Sequence, residues 1–169
     1  DLPTRYAVLC HDFGKALTPK DVLPSHKHHE IGGIPITQAF SRRLKAPKEY
    51  ESIALKVTEY HLLMHQMMIL RPKTILKLLH HLDAFRNPET LYRYIDACEA
   101  DAKGRLEFEN RPYPQRDYLL TIFNALEAFN KSGQIKEAID GLDPAKIPDR
   151  IAAMRIAVIK DVIKNYPLS

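Results

Sequence analysis

The stretch KEYESIALKVTEYHLLM, residues 48–64, places Tyr50, Ile53, Ala54, Val57, Tyr60 and Met64 three or four residues apart. Steps of that size put side chains on one face of an α-helix, whereas a half-buried strand would alternate with period two. Pro47 stands just ahead of the stretch, where a proline opens a helix without losing a hydrogen bond. The same helical spacing recurs along nearly the whole chain, and no segment alternates convincingly. The expected fold is therefore all-α.

Working outward, a short first helix is expected over about residues 3–12, with Pro3 near its start and Gly14 as its stop. A second is expected from about residue 28 to 44, where Pro35 either kinks it or marks a later start. Pro72 opens a fourth, KTILKLLHHL. Asn87-Pro88-Glu89 supplies a cap and first turn for a fifth that ends near Gly104. QRDYLLTIFNALEAFNKSG reads as a sixth with Gly133 as its stop. After DGLDPAKIP, the stretch DRIAAMRIAVIKDVIK is an amphipathic last helix. The count is about seven helices joined by proline-marked loops, with no internal repeat.

The 169 residues suffice for one domain, and the 45% apolar content supplies a core and argues against disorder. No run reaches the ~20 apolar residues of a membrane span. The opening residues carry no secretory pattern, and a start at Asp1 rather than Met fits a fragment or a processed product. Cys10 and Cys98 are the only cysteines, too few for a disulfide scaffold, so a reducing, cytoplasmic setting is expected. A net charge of +4 leans weakly toward anionic partners such as phosphates or RNA.

The eight histidines carry more information. They stand at positions 11, 26, 28, 29, 61, 65, 80 and 81, all in the first half of the chain. His11 and Asp12 sit side by side where the first helix ends, in AVLCHDFGKALTP (residues 7–19), so both side chains are free to turn toward one point. His29 lies at the entrance to the second helix, His61 late in the third, and Asp101 near the end of the fifth. A mixed nitrogen and oxygen set of this kind suits one divalent transition metal, or two bridged by a carboxylate. Such an ion acidifies water and orients it for attack on phosphorus. His65, one turn beyond His61, reads equally as a second ligand or a helix-end cap. His26 and His28 flank His29 and cannot all point inward, and one of His80 and His81 must leave the apolar face. Lys15 reads as a phosphate contact or as a solvated lysine.

LCHDFGKALTP resembles the His-Asp motif of the HD superfamily of metal-dependent phosphohydrolases. With HKHHEIGG, EYHLLMH, RPKTILKLLHHLDAFRNP and EADAKGR following in order, the chain is similar over about residues 1–110 to the HD domain of bacterial CCA-adding tRNA nucleotidyltransferases. The remainder, 111–169, resembles the C-terminal helical part of the same domain more loosely.

The resemblance implies a metal set of His11, Asp12, His29, His61 and Asp101, with Asp12 and Lys15 catalytic and Lys15 and Arg105 on the substrate phosphate. It implies a divalent ion: nickel or manganese for phosphohydrolysis, with magnesium, the ion of the parent enzyme, as the alternative here. The implied substrates are 2′,3′-cyclic nucleotides, 2′-nucleotides and other phosphate esters, with the tRNA 3′ end as the macromolecular partner and no membrane. The family's first metal histidine belongs to a helix upstream of Asp1, so this chain is expected to bring an incomplete ligand set. It contains no glycine-rich strand-turn with paired aspartates, the hallmark of the nucleotidyltransferase domain, so it is not expected to add CCA by itself. Two rival readings share these motifs: a helical scaffold contacting tRNA around a vestigial metal site, and a free-standing HD nucleotidase.

Overall fold

The period read from residues 48–64 is realised as one continuous helix, Lys48–His65, in a computed structural model that describes residues 1–167. In chain order the α-helices are α1 (Leu2–Cys10), α2 (His29–Leu44), α3 (Lys48–His65), α4 (Pro72–His81), α5 (Pro88–Lys103), α6 (Pro114–Lys131), α7 (Gln134–Ile139) and α8 (Ile147–Asn165). Short 3-10 turns occupy Phe13–Leu17, Lys20–Val22, Met67–Ile69 and Pro144–Lys146, and no strand occurs among the described residues. The fold is all-α, as the apolar spacing requires. No helix among these residues is long and apolar enough to cross a membrane.

Local chemistry accounts for most helix ends. The Asp1 carboxylate accepts from the Thr4 amide at 2.9 Å and caps α1. That helix stops at Cys10 rather than near residue 12, because His11 and Asp12 lead into the first 3-10 turn. Pro35 lies inside α2, so it neither delays the start nor breaks the helix. Lys45 takes a left-handed φ of 51°, and the Ala46 amide closes back on the Ser41 carbonyl at 2.9 Å, which ends α2. Asn87 stands at the N-cap of α5 without a side-chain capping bond, and Pro88 follows in the first turn. Gly133, read as a stop for α6, also takes a φ of +83° to launch α7, a helix the sequence reading did not anticipate.

The chain packs as two compact units. The first comprises residues 1–66 and 78–113, with α3 packed by α1, α2 and α5. Its buried side chains include Ala7, Ile53, Val57, Met64, Leu91 and Ile95. The Tyr94 hydroxyl, also buried, donates to the Tyr60 carbonyl at 2.8 Å. Cys10 and Cys98 are both buried and unpaired as thiols. The second unit takes Met67–Lys77 together with the chain from Pro114 onward. In it α6 packs on α7 and α8, and Leu119, Ile122, Leu126 and Ile159 are fully buried.

Two glycines let three elements of the first unit pack closely, the first turn backbone to backbone on α2 and α2 against a side-chain methyl of α3. A Cβ on Gly14 would stand 1.9 Å from the His29 carbonyl oxygen and 2.6 Å from the Gly33 amide nitrogen. A Cβ on Gly33 would stand 2.7 Å from Thr58 Cγ2 of α3. The first obstacle is backbone and has no flexible end to swing aside. Gly14→Ala should therefore destabilise the protein by about 3 kcal/mol or more, the upper range for overpacking. That corresponds to a loss of roughly 6–12 °C in melting temperature for a chain of this size. A variant melting within a degree or two of the native protein would show that the close approach is not required.

Candidate metal centre

Three histidines from three different elements turn toward Asp12, and each is aimed by its own turn of backbone. His11 ends α1, and its Nδ1 lies 2.7 Å from the Val8 carbonyl. His29 opens α2, with Nδ1 2.7 Å from the His26 carbonyl. His61, in α3, has Nδ1 3.1 Å from the carbonyls of both Val57 and Thr58. A carbonyl can only accept, so each Nδ1 carries a proton and donates it. The metal-binding nitrogen, Nε2, is thereby turned inward on all three rings. His28 makes the aim of His29 possible. It holds a left-handed φ of 61°, a region in which histidine is among the more tolerant residues, and its own side chain points to solvent.

Two carboxylates complete the cluster. Asp12 Oδ1 lies 3.2 Å from His29 Nε2 and 3.9 Å from His61 Nε2, and its Oδ2 lies 3.3 Å from His11 Nε2. Asp101, near the end of α5, brings Oδ1 to 3.4 Å from His11 Nε2. The Nε2 atoms of His29 and His61 are 3.2 Å apart. With metal–ligand bonds of ~2.1 Å, neighbouring ligand atoms stand about 3.0 Å apart at a right angle and about 3.4 Å apart at the tetrahedral angle. The observed spacings fall on or slightly outside these edge lengths.

Unpaired atoms point the same way. His11 Nε2 and Asp12 Oδ1 are buried and have no hydrogen-bond partner of acceptable geometry. Leaving such groups bare costs free energy that a cation would return. His11, Asp12 and His61 each offer one ligand atom within 4.8 Å of the others. The donor set, imidazole nitrogen with carboxylate oxygen, suits a divalent transition ion, and the residues present fit such an ion.

The electrostatics describe a site that holds positive charge. Burial disfavours a charged His11, but the Asp101 and Asp12 carboxylates outweigh it and push its pKa up to about 10. Burial and the neighbouring His11 push His61 down. Burial works against ionised Asp12 and Asp101, yet His11 and Lys15 hold Asp12 well below the usual carboxylate range. His11 and His65 do the same for Asp101. The imidazoles of His11, His29 and His61 are buried, while Asp12 is the most exposed of the five, so the opening lies on its side.

His11, Asp12, His29, His61 and Asp101 are thus linked by a series of close contacts, and of these His11, Asp12 and His61 hold ligand atoms within 4.8 Å of one another. Lys15, in the 3-10 turn after Asp12, bonds Asp12 Oδ2 with its ammonium. Arg105 is exposed in the turn after α5, where its carbonyl accepts from the Phe108 amide at 2.9 Å. His65 does not stand among the ring of ligand atoms. It donates from Nε2 to Asp101 Oδ2 at 2.9 Å, leaving Nδ1 to accept from the Tyr113 hydroxyl at 3.0 Å. Sequence reasoning missed this contact and missed Tyr113 altogether. The spacing of His65 to His61 marked the right helix face, but nothing in the sequence joins residues 65, 101 and 113. His26 bonds Thr18 Oγ1 at 2.7 Å, His81 stacks on Tyr60, and His80 packs near Phe85, so none of these joins the cluster.

Comparison with known proteins finds no matching family model and no matching solved structure. Curated relatives are found over nearly the entire chain. It is 41% identical over 165 residues to the multifunctional CCA protein of Acinetobacter baylyi, covering 98% of this chain and 39% of that protein. It is 40% identical over 167 residues to that of Alkalilimnicola ehrlichii, covering 99% and 40%. It is 41% identical over 160 residues to that of Actinobacillus pleuropneumoniae, covering 95% and 38%. The chain spans about two fifths of the length of the curated relatives it matches. By sequence similarity, this is a domain related to multifunctional CCA proteins, corresponding to one part of them.

Proposed function

We propose that this chain is a metal-dependent phosphohydrolase domain of the HD type, acting on 2′-nucleotides and 2′,3′-cyclic nucleotides within a CCA-adding enzyme that serves the tRNA 3′ end. The observation that carries the reading is the run of close contacts linking three histidine Nε2 atoms and two carboxylates around Asp12 and His11, with His11 Nε2 and Asp12 Oδ1 left buried and unpaired. His11, Asp12, His29, His61 and Asp101 would hold a divalent ion, which when bound would acidify water for attack on phosphorus and bring positive charge to the phosphoryl oxygens.

The protein's own residues do the rest. Asp12 touches three of the histidines through its two oxygens, so it ties the cluster together more than any other residue. Its exposed side is where an ester would enter. Lys15, anchored on Asp12 Oδ2, sets an ammonium at that entrance to meet an anionic phosphate. His65, backed by the Tyr113 hydroxyl, fixes Asp101 Oδ2 and so turns Oδ1 toward His11. Burial of the three imidazoles keeps bulk water away from the nitrogen side. Arg105 is assigned to the same anion as a second, outlying contact.

Calorimetric titration of the chain with manganese or nickel should show binding that both His11→Ala and Asp12→Ala abolish. Unchanged affinity in both variants would remove the metal assignment. His65→Ala should weaken the same binding by about 10–100-fold without abolishing it, the usual effect of losing a group that orients a ligand. Full loss would instead make His65 a ligand.

With metal supplied, the chain should release phosphate from 2′-AMP. Asp12→Ala should lower turnover by more than about a hundredfold. Lys15→Ala should lower it less, because it meets the anion and leaves the ligand set in place. A metal-loaded protein inactive on both 2′-AMP and 2′,3′-cyclic AMP would favour a scaffolding role for the domain.

A further inference from the structure

The net charge of the chain is carried by one of its two units. Residues 67–77 and 114–169 hold eleven lysines and arginines against seven acidic residues, while the first unit balances fourteen against fourteen. The whole excess of +4 therefore lies in the second unit. Much of it stands on a single face of α8. Lys146, Arg150, Ala153, Ala157, Lys160 and Lys164 follow at steps of four, three, four, three and four residues, which sets them in one row along the helix from its N-cap. All six are exposed, and none of the four cations forms an ion pair among the described residues.

The fold does not call for this row. Lys146 stands at the N-cap of α8 without making a side-chain cap, and Arg150 follows one turn later. Both put positive charge at the helix end that is itself positive, which lowers stability rather than raising it. The acids that border the row have tasks in the helix: Asp149 sits in the first turn, where it relieves that repulsion, and Asp161 accepts from the Asn165 side-chain amide at 3.2 Å. The isoleucines, valines and Met154 of α8 are all buried or half-buried. The exposed face therefore has no anchor for an apolar protein surface or for the interior of a lipid layer. Charge is what it offers a partner.

That charge has two ends and a neutral waist. Each end is a pair of cations one turn apart, about 6 Å along the axis, and about 15 Å separates Arg150 from Lys160. Between them Ala153 and Ala157 keep the helix surface flat. A polyanion of two strands matches this pattern, one pair of cations for each strand and the alanines over the groove between. In B-form DNA the minor groove is narrow, and the major groove is deep and read by side chains longer than alanine. The minor groove of an A-form RNA helix is wide and shallow, and so open to a flat face.

We propose that the exposed face of α8 binds the sugar–phosphate backbone of double-helical RNA, with Lys146 and Arg150 on one strand and Lys160 and Lys164 on the other. The proposal goes beyond the phosphohydrolase reading and does not depend on it. Phosphate contacts of this kind position a nucleic acid without reading its bases, so binding follows shape and charge rather than sequence.

The test follows the fluorescence anisotropy of a labelled RNA hairpin bound by the whole chain as potassium chloride is raised. Each phosphate contact steepens the fall of log K with log salt by ~0.9. The double variants Lys146→Ala/Arg150→Ala and Lys160→Ala/Lys164→Ala should each weaken binding by about tenfold or more and make that slope shallower by about 2. Lys20→Ala/Arg43→Ala removes the same charge from exposed positions of the first unit and should change neither. Ala157→Leu should weaken binding with the slope unchanged, since it adds bulk at the waist and removes no charge. Native melting temperatures in the variants exclude misfolding as the cause. Native affinity in both α8 double variants, or an equal loss in Lys20→Ala/Arg43→Ala, would overturn the assignment to α8. A DNA duplex, an unpaired RNA strand or phosphatidylserine vesicles bound as tightly as the hairpin would overturn the choice of partner, as would a native chain that leaves the hairpin free. Release of phosphate from 2′-AMP should be the same in native chain and α8 variants, and a chain that binds the hairpin through α8 yet is inactive on the ester would count against the phosphohydrolase reading alone.

Discussion

Everything at the metal centre depends on how closely Gly14 approaches α2. A Cβ on Gly14 would stand 1.9 Å from the His29 carbonyl oxygen, so the 3-10 turn and the helix touch through bare backbone. Gly33, one turn along, leaves room for the Thr58 methyl and lets α2 settle against α3. His11 and Asp12 precede Gly14, His29 is the contact itself, and His61 lies three residues beyond Thr58. Moving these elements apart by the width of a methyl group would separate ligand atoms that now stand 3.2–3.9 Å from one another. The glycines thus set the spacing of the side chains at the candidate metal centre.

The charge balance follows from that proximity. Three imidazoles brought together repel as soon as more than one is protonated. The structure answers by placing two carboxylates among them, and Lys15 against one of these. Burial opposes the charged forms throughout, yet the mutual attraction of His11, Asp12 and Asp101 overrides it. A divalent cation at this candidate centre would meet the same need without relying on His11 for its positive charge.

The helices were legible because the apolar steps of three and four are long and regular, as over residues 48–64. The short α7 was not, since six residues between glycines show less than two turns of pattern. Pro35 left two readings open, and the helix continues through it because a proline in place removes one backbone donor without forbidding the turn. The five cluster residues were picked out by type and motif. Their meeting depended on packing α3 against α1, α2 and α5, which no local pattern encodes. Tyr113 escaped notice for the same reason: its tie to the centre runs through a hydroxyl laid on His65 from 48 residues away.

Each of the three rings is aimed by a carbonyl three or four residues earlier in its own stretch of chain: Val8 for His11, His26 for His29, Val57 and Thr58 for His61. Orientation is thus a property of single turns, while proximity is a property of the tertiary fold. The two can be varied separately. A relative or a designed helical scaffold could import these His-containing turns whole, and would inherit correctly pointed donors before any long-range packing had been optimised. The centre is in that sense modular, assembled from pre-aimed parts, and its ligand geometry belongs as much to three short peptides as to the domain that gathers them.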